Sequence, residues 1–391
     1  MGEWKEYKLS DIATEIGDGL HGTPKYSIDG NCYFINGNNI VNGKVIIKDD
    51  TKRISDIEFD LYKKPLFDRT VLLSINGTIG NVGLYNGEKC ILGKSVCYLN
   101  IKNSVDKRFI YYTFLSNSFQ THLRNIATGT TILNVPLKSL RETVILLPSL
   151  DEQKRIAFIL SSLDDKIDLL HQENKTLEAM AETLFRKWFI EDAKEEWKEG
   201  RLDDILSVKG GTTPSTKESK YWDGNISWTS PKDVTTLNGI YLFDTERKIT
   251  KEGLKQISSG LLPAGTLLMS SRAPVGVLAY AEIPLAINQG YIAIIEDKGY
   301  AKEFIYLWLK ANMDMVHSYA NGSTFMEISK SAFKSLSLQI PPKHIVDEFC
   351  DRIKPIFEKI KINELQIRTI NKTKDNILPK LMSNEIKIDE L

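Results

Sequence analysis

The chain of 391 residues is poor in cysteine and histidine, has no surplus of either charge, and lacks long apolar runs. Its cysteines, Cys32, Cys90, Cys97 and Cys350, form no Cys-x-x-Cys pair, which excludes a zinc ribbon and a disulfide framework. His21, His122, His171, His317 and His344 show no metal-ligand spacing, so no metal site is expected. No stretch approaches the ~18 apolar residues that cross a bilayer. The charged start around Trp4 has no apolar signal core, so a reduced, cytoplasmic protein with no membrane partner is expected. Lys plus Arg number 51 and Asp plus Glu number 51, so the chain as a whole is not a strongly basic nucleic-acid binder. With 42% apolar and 26% charged residues it is a folded chain of two to four domains.

Catalytic signatures are equally scarce. The string Ile340-Pro-Pro-Lys343 lacks the acid or amide and the aromatic ring of an adenine methyltransferase motif. Gly87 to Lys94-Ser95 is one residue too long for a phosphate-cradling loop. Glu3-Trp-Lys5 and Glu196-Trp-Lys198 match half of a nuclease signature, without a well-placed preceding Asp. No catalytic residue is assigned.

What the chain does have is a repeat, the feature to settle before any other. Trp4-Lys-Glu-Tyr-Lys-Leu-Ser-Asp-Ile12 returns as Trp197-Lys-Glu-Gly-Arg-Leu-Asp-Asp-Ile205, an offset of 193. The same offset relates Gly129-Thr130 to Gly322-Ser323 and Pro148 to Pro341, while Leu72 to Gly80 matches Leu268 to Gly276 at 196. Each copy opens with about 150 residues of short β-branched runs and Gly, Asn and Pro turns. Strands are expected at Val71 to Ile75, Thr266 to Met269 and Tyr291 to Ile295, and short helices at Arg108 to Asn117 and Lys302 to Asn312. Each copy closes with a segment almost free of Gly and Pro, Leu150 to Phe189 and Lys343 to Met382, which reads as one long helix.

In the first long segment Ile156, Leu160, Leu163, Ile167, Leu170, Asn174, Leu177, Ala181, Leu184 and Trp188 step by four and three. The positions 193 residues later are Phe349, Ile353, Ile356, Ile360, Asn363, Ile367, Ile370, Lys374, Ile377 and Leu381. A 3.5-residue stripe held over ten positions describes a coiled-coil seam; two amphipathic helices packed separately on their own domains are the alternative. If the helices pair antiparallel so that residue numbers in each layer sum to 537, Asn174 meets Asn363 and every other seam position meets another. Two amides in one layer would fix the register, because a slip strands both against apolar side chains. Lys374 would then face Leu163 and snorkel outward, and Pro355 would kink the second helix.

The neutral total hides a division: the two mixed segments carry a net +5 and the two helical segments a net −5. The loops of the mixed segments are rich in groups that hydrogen-bond to base edges and phosphates. In the first copy the candidates for DNA contact are Thr23, Lys25, Asn38, Asn39, Asn76, Thr78, Lys94, Thr130 and Thr131. In the second they are Thr213, Thr216, Ser230, Lys232, Arg272, Asn288, Gln289, Ser323 and Thr324. Ordinary turn chemistry explains any single one of these loops equally well. Divergence at equivalent places points further: Asn76-Gly-Thr78 stands where the second copy has Arg272-Ala-Pro274, as expected of two heads that read different sequences. An enzyme fused to a reader, with catalytic residues hidden from motif search, is the competing reading.

Several of these stretches resemble a known family. They are the repeated Trp-x-x-x-x-Leu-x-Asp-Ile opening, the Gly211-Thr-Thr-Pro214 loop, Tyr221-Trp-x-Gly-x-Ile-x-Trp228, Leu147-Pro-Ser-Leu-x-Glu-Gln153 and Leu184-Phe-Arg-Lys-Trp-Phe189. Together they look like the specificity (S) subunit of type I restriction–modification enzymes, over essentially the full chain. The first copy departs from it in having no Tyr-Trp-x-Gly, keeping only Asn31-Cys-Tyr-Phe-Ile35. The resemblance implies an α+β chain: two pseudo-twofold-related α/β target-recognition domains, 1–149 and 194–342, separated by two long antiparallel coiled-coil helices, 150–193 and 343–391. It implies a non-catalytic subunit that reads double-stranded DNA with a bipartite target, each domain taking one half and the coil setting the gap. The implied partners are two methylation subunits and the restriction subunits, with S-adenosylmethionine on the methylation subunits and no cofactor on this chain.

Overall fold

A computed structural model describes residues 4–194, 196–296, 298–322 and 326–386. The chain divides into two compact units, Met1–Lys166 with Thr369–Leu391, and Ile167–Arg368.

In the first unit an antiparallel four-stranded sheet has the order Ala13–Asp18, Val96–Ile101, Thr70–Ser74, Val82–Leu84. Beside it lies a three-stranded sheet of Arg53–Ile54, Cys32–Ile35 and Cys90–Leu92, its first pair antiparallel and its second parallel. All five residues of Thr70–Ser74 are buried. That is why the run reads as unbroken hydrophobicity rather than alternation. Val71 and Leu73 face a core with the Lys107–Leu115 helix, whereas Leu72 faces a second core with Ile35, Leu92 and Tyr98.

The second unit repeats the plan. Ser207–Lys209, Tyr291–Ile295, Thr266–Ser270, Leu278–Ala281 and Tyr241–Leu242 form its larger sheet, antiparallel except for the last pair. Arg247–Ile249, Trp222–Thr229 and Leu285–Ile287 form the smaller one. Leu267 and Met269 again face one core and Leu268 the other. Each unit also ties its opening strand to its last one: Lys5–Lys8 pairs with Val144–Leu147, and Lys198–Arg201 with Ser337–Ile340.

The long helices are α1, Leu150–Arg186, and α2, Lys343–Met382. α1 does not run regularly to Phe189. It widens at Lys187–Glu191 into a π turn, closed by Asp192 N–H donating to the Lys187 carbonyl at 2.9 Å. α2 continues through Pro355, which is exposed, so the helix is not interrupted there. The expected short helix after Arg108 is instead two, Lys107–Leu115 and Asn117–Ile126, split where Ser116 caps the second by accepting from Phe119 N–H.

Within each unit α1 and α2 run antiparallel. In the second unit Trp188 and Phe349 pack with ring centroids 5.7 Å apart, and Asn363 Nδ2 donates to Asn174 Oδ1 at 2.8 Å. Asn363 Nδ2 also reaches Glu173 Oε2 at 3.0 Å, and its own Oδ1 is buried with no partner. In the first unit Ile156 and Leu381 share a core, and Lys374 Nζ reaches Asp164 Oδ1 at 2.5 Å, which is how that lysine leaves the seam.

A two-position stripe does not account for all the burial. Ala157, Phe185, Phe357 and Glu364, each one residue after a seam position, are also buried. They face the sheets and helices of their own unit, so each helix also buries separate positions beside the coil seam. Glu364 accepts from the N–H groups of Ile240 and Tyr241 at 2.8 and 3.1 Å, fastening α2 to the edge of a sheet. A Cβ at Gly239 would sit 2.5 Å from the Glu364 carboxyl carbon, so a side chain there would push the carboxylate away from its two donors. Burial pushes the Glu364 carboxyl up to about 7, with Glu178 and Glu282 adding to the rise and the two backbone donors opposing it.

Candidate nucleic-acid interface

Backbone hydrogen bonds hold the candidate loops in a frame that is nearly the same in both units. In the first unit Ser74 closes the loop that follows its strand: Asn81 N–H donates to Ser74 Oγ at 2.7 Å and Gly80 N–H to the Ser74 carbonyl at 3.0 Å. In the second unit Ser270 does the same for Val277 N–H, at 2.9 Å, and Gly276 N–H, also at 2.9 Å. The next residue then bridges two further loops. Ile75 N–H donates to the Ser95 carbonyl and its carbonyl accepts from Val135; Ser271 N–H donates to the Gly290 carbonyl and its carbonyl accepts from Ile328. A reciprocal backbone pair closes the last loop, Thr128 with Asn134 in one unit and Asn321 with Glu327 in the other. The left-handed backbone recurs too, at Gly77 and Gly80 (φ 72° and 97°) and at Ala273 and Gly276 (φ 57° and 93°).

On this frame the side chains differ. Asn76 Nδ2 donates to Asn134 Oδ1 at 3.2 Å, whereas Arg272 Nη1 stands 3.8 Å from Glu327 Oε2. Asn134 and Glu327 are equivalent at the offset of 193, and motif reading passes over both because neither belongs to a recurring string. Backbone bridges of Asn134 to Asn76 and of Glu327 to Arg272 bring each pair opposite one another.

Several candidates share the frame. Thr78, Thr130 and Thr131 are exposed on its first copy, beside the half-buried Asn76. Asn38 is exposed next to Gly37, whose N–H donates to Ser95 Oγ and whose carbonyl accepts from Asn81 Nδ2. Lys94 is exposed on the adjoining turn, with its N–H donating to the Leu20 carbonyl. In the second unit Thr213 Oγ1 donates to Gln289 Oε1 at 2.7 Å, linking two exposed candidates. Lys232 is exposed and paired with Glu246 at 2.8 Å, and that hydrogen bond raises its pKa. Ser230 is half-buried, its carbonyl held by the Tyr291 hydroxyl at 2.6 Å; burial drives the Tyr291 hydroxyl far above its ordinary pKa, so it stays a donor. Thr23, Lys25 and Thr216 are exposed outside the frame: Lys25 N–H donates to Glu58, and Thr216 follows the carbonyl that accepts from Trp222 Nε1. Ser323 and Thr324 lie outside the described residues.

Two candidates need correction. Asn39 is 5% exposed, and its amide is fully engaged, accepting from Asn36 N–H and donating to the Ile46 carbonyl and Thr51 Oγ1. Asn288 is 9% exposed and folds its Oδ1 back onto Gly290 N–H at 2.8 Å. Both shape turns; Asn39 has no amide edge left to offer a base, whereas Asn288 gives up its Oδ1 and keeps its Nδ2. Among the described residues, no group of three or more His, Cys, Asp or Glu is placed to hold a metal ion, and no helix is long and apolar enough to cross a membrane.

Comparison with known proteins gives this geometry a family. Residues 1–179 and 194–372 each match the sequence model of the type I restriction modification DNA specificity domain. The MjaIX specificity subunit of Methanocaldococcus jannaschii is 38% identical over 162 residues, 41% of this chain and 38% of that protein's length. The HindI specificity subunit of Haemophilus influenzae is 23% identical over 467 aligned positions, covering 99% of this chain and all of the relative. The crystal structure of an S subunit from M. genitalium shares the fold, with a TM-score of 0.60 at 20% identity over 97% of this chain and 96% of that one. Two matched domains, the repeated α+β plan and the paired long helices therefore place this chain in the family of type I restriction–modification DNA specificity subunits.

Proposed function

We propose that this chain reads a bipartite double-stranded DNA target without catalysing a reaction itself. Each duplicated domain takes one half of the target, and the antiparallel coil of α1 and α2 sets the gap. Two methylation subunits, binding S-adenosylmethionine, and the restriction subunits assemble on it. The observation that carries this reading is the repeated loop frame: one set of backbone hydrogen bonds, built twice, presents different polar side chains at equivalent positions. Backbone that is kept while its rim varies is what two readers of different base sequences require.

The test is base preference. The chain, in the complex in which it is purified, is equilibrated with a pool of randomised duplexes, and the bound fraction is sequenced. Two short conserved blocks at a constant separation are expected, and Arg272→Ala should degrade one block and leave the other intact, with a loss of about 1–3 kcal/mol. Modification or cleavage of DNA by this chain alone would favour an enzyme instead.

A further inference from the structure

The loop frames contain two side chains to which nothing so far gives a task, Asn134 and Glu327. We propose that they are specificity-determining residues, each forming with its neighbour across the frame, Asn76 or Arg272, a two-residue reader of one base pair. This rests on the DNA-reading function proposed above.

The argument begins with position. Asn134 and Glu327 each pair backbone to backbone with the start of their own loop, and each immediately precedes the residue whose N–H closes the frame. Their side chains are therefore delivered to equivalent places on two matching sets of backbone hydrogen bonds. The chemistry delivered differs. Asn134 Oδ1 takes one N–H of Asn76. That leaves the Asn76 amide a carbonyl oxygen and a second N–H, the acceptor–donor set that matches N6 and N7 of adenine. In the other frame the charges stand 3.8 Å apart with side chains 36% and 47% exposed, too long for a hydrogen bond and open to a ligand. The Arg272 donors remain available for O6 and N7 of guanine, and the Glu327 carboxylate can accept from N4 of cytosine. A carboxylate facing DNA repels phosphate, so its place beside Arg272 on a reading loop is accounted for by a base donor or by aiming the guanidinium. The second frame thus selects a G·C pair and the first an A·T pair.

Base preference of the full-length chain in its purified complex, measured on randomised duplexes, tests this. Glu327→Gln keeps size and removes the charge; it should lower discrimination at one base pair of one half-site roughly 10- to 100-fold, leaving the other half-site untouched. The double variant Arg272→Asn with Glu327→Asn transplants the amide pair of the first frame and should change the preference there from G·C toward A·T. If Glu327→Gln loosens the whole protein, both half-sites weaken together, and the double variant then decides. Native preferences retained at every position by both variants would overturn the inference while leaving the DNA-reading function standing. A native protein that selects no sequence would overturn both.

Discussion

Asn39 and Asp233 hold the same station in the two units and do the same work. Asn36 N–H donates to Asn39 Oδ1 at 3.0 Å, and Ser230 N–H donates to Asp233 Oδ2 at 2.9 Å, so each side chain closes the short helical turn that follows a strand. Asn39→Ala would leave the Asn36 N–H and the Ile46 carbonyl without their partner. A loss of about 1–3 kcal/mol is expected, read as a lower thermal midpoint with the base preference of any bound DNA unchanged. Glu364 makes a second residue-level prediction. Its folded-state value of about 7 lies above the ordinary 4.5, so between these values the folded protein holds a proton that the unfolded chain releases. Stability must then fall as pH rises through that window. The unfolding midpoint should drop more steeply from pH 4.5 to about pH 7 in the native protein than in Glu364→Gln, which keeps the shape and cannot titrate. Parallel curves for the two proteins would show that Glu364 does not titrate in that range.

At the scale of the element, the Asn174–Asn363 layer trades stability for definition. One amide oxygen of the layer is buried without a partner, so the seam carries a cost that two leucines would remove. Asn174→Leu alone strands the Asn363 amide and should lower the midpoint. The double change to leucine should raise it above native, and crosslinking of cysteines introduced in facing layers should then report more than one register. Much of this element was legible beforehand, because a period of 3.5 and a constant sum of residue numbers are properties of spacing alone. The burial of positions flanking the seam was not. Phe185, Phe357 and Glu364 are buried against their own unit, and no periodicity says which neighbour a flanking position meets. The strands were readable where both faces are buried, as at Thr70–Ser74. The candidate loops were partly readable: Arg272 and Asn76 stood out because equivalent loops diverge, while Asn39 and Asn288 look alike in sequence and are drawn wholly or partly into turns. Amide composition marks a loop as polar; only the hydrogen-bond partners say whether the amide is spent.

For the molecule as a whole, both long helices contribute to both compact units, since the divisions fall at 166/167 and 368/369. If, as proposed, the coil sets the gap, it can be lengthened without changing either domain. Seven residues inserted after Lys166 and seven after Ile370 preserve every layer that sums to 537. They add about 10 Å of helix. At about 3.4 Å per base step, the separation of the two selected blocks should grow by roughly three base pairs with both blocks unchanged. An unchanged separation would mean that something other than the coil sets it.

The loop frame has a further consequence for how such a protein tolerates mutation. Its hydrogen bonds use main-chain groups and one buried serine hydroxyl, Ser74 or Ser270, and none of them depends on the identity of the side chain at 76, 78, 134, 272 or 327. Under the proposed function, drift at the rim would change what is recognised while leaving these hydrogen bonds in place. Loss of the serine would do the reverse, removing the bond that closes the loop while leaving the rim side chains as they are.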